Sequence, residues 1–227
     1  PLFGVLMLAF LTRGLKTQNQ SDFALAGIML GLTQYFYEGG RVVFPLLAFA
    51  WVETLVILRR LRMNRKLLRL CGLFIIPGLL IAAPMYYALL ARDVPLLSRF
   101  QTAGLGGSYW EVLESYERQQ TLEEQITRPM LIYVRNFDLS EFYGGDTPLL
   151  LLFIVPFFLL GASYCLWRLR QPYAPLLLGW VAAVSLGGML LAEGGHAARF
   201  VVAFPALMLL VATGIRLILP RWWLLTA

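Results

Sequence analysis

Residues 70–91 read LCGLFIIPGLLIAAPMYYALLA, 22 positions without one charged side chain. The hydrocarbon core of a bilayer is about 30 Å thick and takes about 20 apolar residues in a helix. This stretch is therefore long enough to cross. Directly before it stand Arg59, Arg60, Arg62, Arg65, Lys66 and Arg69, a dense block of cations at one mouth. Pro77 and Pro84 fall inside it, and membrane helices tolerate proline where neighbouring groups satisfy the freed carbonyls. The stretch reads as a transmembrane helix behind a short basic loop.

Outward from it, apolar stretches fall at 23–37, 42–58, 149–167, 174–192 and 200–219, with a shorter run at 1–12. Together they predict an all-α fold, a polytopic transmembrane helix bundle of seven spans. Composition agrees: the 227 residues are 59% hydrophobic and 14% charged, against about 45–50% and 25% in soluble domains. That excludes a soluble globular enzyme, a disordered chain and a disulfide scaffold, and Cys71 and Cys165 give no metal spacing. Gly27-x-x-x-Gly31 and Gly187-Gly188 are small-residue patterns that let helices approach closely. The run at 1–12 is too short to span and Arg221–Leu225 reads as the first turn of another helix, so the chain is expected to be a fragment of a longer protein.

Charge sets the orientation. Counted over alternate loops, twelve of the nineteen Lys and Arg residues share one side with a single acid, Asp22. The other side holds seven arginines and eleven of the thirteen acids, Glu53 lying within a span. The positive-inside rule makes the first side cytoplasmic and predicts a multi-pass protein of the cell membrane. Three segments follow: spans over 1–91, an extracytoplasmic loop over 92–148, and spans over 149–227. In the loop, Ser108-Tyr109-Trp110-Glu111 and Thr121-Leu122-Glu123-Glu124 fit the capping box that opens a helix. After the second box, Leu122, Ile126, Met130, Tyr133, Val134 and Phe137 recur at helical spacing, predicting an amphipathic helix over 121–137 in the outer interface.

No Walker loop, dinucleotide fingerprint, G-x-S-x-G or His/Cys metal pair is present. What remains are polar residues at the outer span ends, where ionisable groups near hydrocarbon are costly and become candidates for function. The first cluster is Gln34 through Pro45, with Tyr35, Tyr37, Glu38 and Arg41; it fits either an interfacial aromatic belt or an anion site built on the arginine fork. The second runs from Glu193 through His196 and Arg199 into Phe200 and Pro205, placing an arginine at a helix mouth, a favourable place for phosphate. The third is Phe142-Tyr143-Gly144-Gly145-Asp146 before Pro148, where Asp146 is expected to cap a helix.

These clusters, in this order, resemble the lipid-linked sugar transferases of the protein mannosyltransferase and aminoarabinose transferase type, family 39 and its relatives of the C-type fold. The similarity lies in Tyr35 and Tyr37 followed by Gly-Gly-Arg41 and Pro45, in Phe142–Pro148, in Trp167-Arg168-x-Arg170, and in His196-x-x-Arg199-Phe200 with Pro205. It implies a membrane glycosyltransferase using a polyprenyl-phosphate sugar on the extracytoplasmic face. Its donor phosphate is then expected on Arg41 and Arg199, converging on one cavity lined by Tyr35, Tyr37, Glu38, Glu193 and His196. Glu38 and Glu193 are candidate acceptor or divalent-cation contacts, and no other cofactor or nucleic acid is expected. The catalytic acid of such enzymes lies in a first outer loop that matches nothing here, so the catalytic residue stays unassigned. A transporter, with ionisable groups at mid-membrane, and a non-catalytic membrane subunit are the alternatives.

Overall fold

A computed structural model describes residues 1–36, 38–61, 64–98, 122–137, 147–191 and 199–219. By packing, the chain divides into two units, Pro1–Thr102 and Ala103–Ala227. Among the described residues every regular element is helical.

The first unit holds α1 (Leu2–Thr17), α2 (Gln20–Thr33), α3 (Glu38–Ile57) and α4 (Arg65–Ala91). Their ends follow from local chemistry. Gln18, at φ 54°, closes α1 in the left-handed region and its N–H bonds the Gly14 carbonyl. Asn19 then caps α2 by accepting from the Ser21 N–H at 3.1 Å. Beyond α3, Arg59 at φ 54° and the bonds from Arg59 N to Val56 O and Arg60 N to Leu55 O form a Schellman stop. Asp93, again at φ 54°, ends α4 in the same way, with Val94 N on Leu89 O. Asn64 opens α4, its side chain accepting from Leu67 N at 2.8 Å. The single acid of the basic side, Asp22, is buried and lies 3.3 Å from Arg13.

Helix α2 packs chiefly on α1 and α4, and the Gly27-x-x-x-Gly31 pattern makes the α2–α4 contact. A Cβ on Gly27 would overlap the Phe74 carbonyl, and one on Gly31 would lie 2.6 Å from Ile81 Cβ and 2.7 Å from Gly78 O. The expected close approach is present.

The second unit holds α5 (Leu122–Leu131), α6 (Val155–Trp167), α7 (Tyr173–Met189), a 3-10 turn (Val201–Ala203) and α8 (Phe204–Ile218). Helix α6 packs along α8, and α5 packs on α7. The described part of the expected 121–137 helix stops at Leu131, and its faces differ from the predicted stripe. Ile126 and Met130 are exposed, whereas Gln125, Pro129, Ile132 and Tyr133 are buried. The reason is hydrogen bonding: the Gln125 amide donates to Met189 O at 2.8 Å and Leu191 O at 2.7 Å, serving carbonyls that the end of α7 leaves open. Glu123 is exposed, as expected.

Among the described residues three helical stretches are long and apolar enough to cross a membrane: Glu38–Ile57, Arg65–Ala91 and Val201–Ile218. The other expected spans are shorter, α2 having 14 residues, α6 having 13 and α7 having 17. Residues 149–154 do not join α6 because Leu149 N and Leu150 N bond the Ile132 and Tyr133 carbonyls. Pro156, near the helix start, needs no N–H partner there. Large apolar side chains point outward, among them Phe49 at 68% exposure, Leu80 at 68% and Leu90 at 71%.

Candidate functional site

The first cluster assembles where α2 ends and α3 begins. After Thr33 the chain tightens, with Gln34 N on Gly31 O, Tyr35 N on Leu32 O and Phe36 N on Thr33 O. This turn ends α2 before the expected 37 and buries the Gln34 side chain. Gln34 Nε2 donates to Leu30 O and Thr33 Oγ1 at 3.3 and 2.9 Å, while its Oε1 accepts from the Tyr86 hydroxyl at 2.8 Å. The Tyr35 hydroxyl donates to Ile81 O at 2.7 Å although its ring is largely exposed. Phe36 stacks on Phe3 with centroids 5.3 Å apart. Aromatic side chains thus gather at this turn, beside a buried amide.

Arg41 stands in the first turn of α3, half-buried. Its Nε donates to Gln34 O at 2.9 Å and its Nη1 to Leu96 O at 3.3 Å, so the side chain ties the α2–α3 turn to the segment after α4. Both acceptors are neutral carbonyls, which bond the guanidinium without cancelling its charge. Glu38 begins the same helix and is half-buried. Tyr37 lies outside the described residues.

In the second unit Arg199 is half-buried, two residues before the 3-10 turn at Val201–Ala203 that leads into α8. Its neighbour Phe200 is fully buried, edge-on to Tyr133 at 5.6 Å between centroids. The Tyr133 hydroxyl shares a 2.9 Å bond with Ser185 Oγ. Burial pushes this phenol up to about 12, the Ser185 bond acting in the opposite sense. Trp180 Nε1 donates to Val202 O at 3.0 Å, fixing the backbone just after Arg199. Glu193, His196 and the stretch 142–146 lie outside the described residues. So do Ser108 through Glu111 and Thr121.

Arg41 and Tyr35 are therefore brought together through Gln34 within the first unit, and Arg199 belongs to the second. No family model, curated protein or solved structure matches the chain. Among the described residues no three His, Cys, Asp or Glu side chains group as metal ligands. The polar residues that sequence reasoning missed are Tyr86, the partner of Gln34, in the first unit and Gln125 and Ser185 in the second. A lone polar residue in an apolar run, as Ser185 is between Val184 and Leu186, is the available sign of such a buried role; Gln125, flanked by Glu123, Glu124 and Arg128, carries no such sign.

Proposed function

We propose that this protein is an integral-membrane glycosyltransferase of the cell membrane, moving a sugar from a polyprenyl-phosphate donor to an acceptor on the extracytoplasmic face. The observation that carries the reading is the setting of Arg41. A guanidinium has five N–H donors; two are spent on the Gln34 and Leu96 carbonyls, which fix the fork at the mouth of a span-length helix. Among the described residues the rest of the fork has no further partner, which leaves it to an anion, with the exposed Tyr35 ring beside the same turn.

The chemistry fits such a group. Transfer breaks the bond between the sugar's anomeric carbon and a phosphate oxygen, and negative charge gathers on the departing phosphate. A pre-positioned arginine stabilises that charge better in a dry setting than in water. Arg199, at its own helix mouth, is the second residue that the sequence resemblance assigns to phosphate. The bilayer setting draws support from the outward apolar side chains, since soluble monomers seldom expose such large contiguous apolar surfaces.

The test is sugar transfer from a radiolabelled polyprenyl-phosphate sugar in membranes containing this protein. Arg41→Ala is expected to lower transfer roughly 10–100-fold, given about 1.5–3 kcal/mol for a charge-assisted bond. Lysine restores it only partly, because it keeps the charge and loses the fork. No transfer by the unaltered protein, or full transfer by Arg41→Ala, refutes the reading.

A further inference from the structure

At the opposite end of the first unit, the α1–α2 turn and the α3–α4 turn close around a pocket of about 420 Å³. That volume falls within the roughly 300–1,000 Å³ of small-ligand sites. Lys16, Gln18, Arg60 and Asn64 contribute its polar lining, and the buried side chains of Leu67 and Leu70 contribute apolar lining. No acid lines it. Asp22, the acid of this end, is buried against Arg13 at 3.3 Å, and among the described residues neither Lys16 nor Arg60 has an ion-pair partner.

The cations are held there by backbone geometry. Arg59 takes the left-handed conformation and Arg60 N bonds Leu55 O at 2.8 Å, which fixes the backbone of Arg60, a lining residue. Asn64 caps α4 through Leu67 N, while the N–H groups of the first helical turn have no intrahelical acceptors. Their partial positive charge adds to that of the side chains. A topology signal needs only a count of cations; it gives no reason for two separate loops to enclose a cavity with an apolar wall.

We propose that this pocket binds a phosphate group, a mono- or diester whose hydrocarbon part rests against Leu67 and Leu70. The chemistry is shared by an anionic lipid headgroup and by free phosphate. The inference is independent of the transferase reading, because it concerns the other end of the unit and none of that site's residues.

The experiment is titration calorimetry on the full chain in neutral detergent, with dihexanoyl phosphatidate, dihexanoyl phosphatidylcholine and inorganic phosphate as probes. Phosphatidate is expected to bind saturably, at least roughly tenfold more tightly than the zwitterionic lipid. Each of Lys16→Gln and Arg60→Gln weakens it about fivefold and the pair roughly thirtyfold, at about 1 kcal/mol per cation near a lipid phosphate. Arg168→Gln/Arg170→Gln, on a different basic loop, leaves it unchanged. An unaltered unfolding midpoint for each variant establishes that the fold is kept. Displacement of phosphatidate by inorganic phosphate at similar concentration assigns the site to the phosphate alone; resistance to displacement assigns it to the lipid. Non-saturable binding, wild-type affinity in the Lys16→Gln/Arg60→Gln variant, or an equal loss in the Arg168→Gln/Arg170→Gln variant overturns the proposal.

Discussion

Gly161 of α6 and Gly214 of α8 lie backbone to backbone: a Cβ on Gly161 would come within 3.0 Å of Gly214 N, and one on Gly214 within 3.1 Å of Gly161 N. The same added atoms would overlap the Leu210 and Phe157 carbonyls. Rigid backbone cannot yield as a flexible side chain does, so alanine at either position must push the helices apart. The expected cost is about 1–3 kcal/mol, the range for overpacking. Gly179→Ala, where the methyl meets nothing within 4 Å, is expected to be neutral or stabilising by up to about 1 kcal/mol. Thermal unfolding in detergent separates the two classes; equal midpoints for all three variants would remove the close crossing.

That crossing was not legible in the sequence, whereas Gly27-x-x-x-Gly31 was. The latter repeats at one helical turn on a single helix, but Gly161 and Gly214 stand alone in separate spans and only tertiary structure pairs them. Helix identity was legible for a similar reason: an uncharged run such as 70–91 announces itself locally. The start of α6 was not, because residues 149–154 are as apolar as a helix and are diverted by hydrogen bonds to Ile132 and Tyr133. Arg41 was legible as a polar group at a span end, while its carbonyl partner Leu96, 55 positions away, carries no sequence sign.

Gln125 is expected to matter more than the apolar residues around it. Gln125→Leu leaves the Met189 and Leu191 carbonyls without their amide partner, at a cost of about 2–3 kcal/mol. Ile126→Ala removes an exposed side chain and should change stability by less than about 0.5 kcal/mol. A larger loss at Ile126 than at Gln125 would contradict this ranking.

Tyr133 gives the stability a defined alkaline limit. Its phenol titrates near 12 in the folded protein against 10.0 when free, so folding favours the protonated form. The contribution is fully present below pH 10 and is lost as pH rises from 10 through 12, by roughly 2 kcal/mol at the upper end. Tyr133→Phe should flatten that part of the pH profile, while losing about 1 kcal/mol at neutral pH with the Ser185 bond. An unaltered alkaline slope in the phenylalanine variant would contradict the assignment.

The two ends of α4 provide the topology test. With Cys71→Ser and Cys165→Ala as background, cysteine introduced at Asp93 is expected to react with an impermeant thiol reagent in intact cells. Cysteine at Lys66 is expected to react only after the membrane is opened. Both positions are exposed on the protein surface, so access depends on the membrane alone. The reverse labelling would put the Arg41 cluster on the cytoplasmic face, where the transferase reading does not hold.

Binding of a polyprenyl phosphate to the chain in nanodiscs tests the central claim most directly. It is measured in the Lys16→Gln/Arg60→Gln background, so that the pocket at the other end does not contribute, and against the phosphate-free polyprenol. The account predicts a preference for the phosphate of at least roughly tenfold, lost on Arg41→Ala and partly kept by Arg41→Lys, in line with the strength of one charge-assisted contact. Equal binding of the two lipids, or a phosphate preference that survives Arg41→Ala intact, would contradict it.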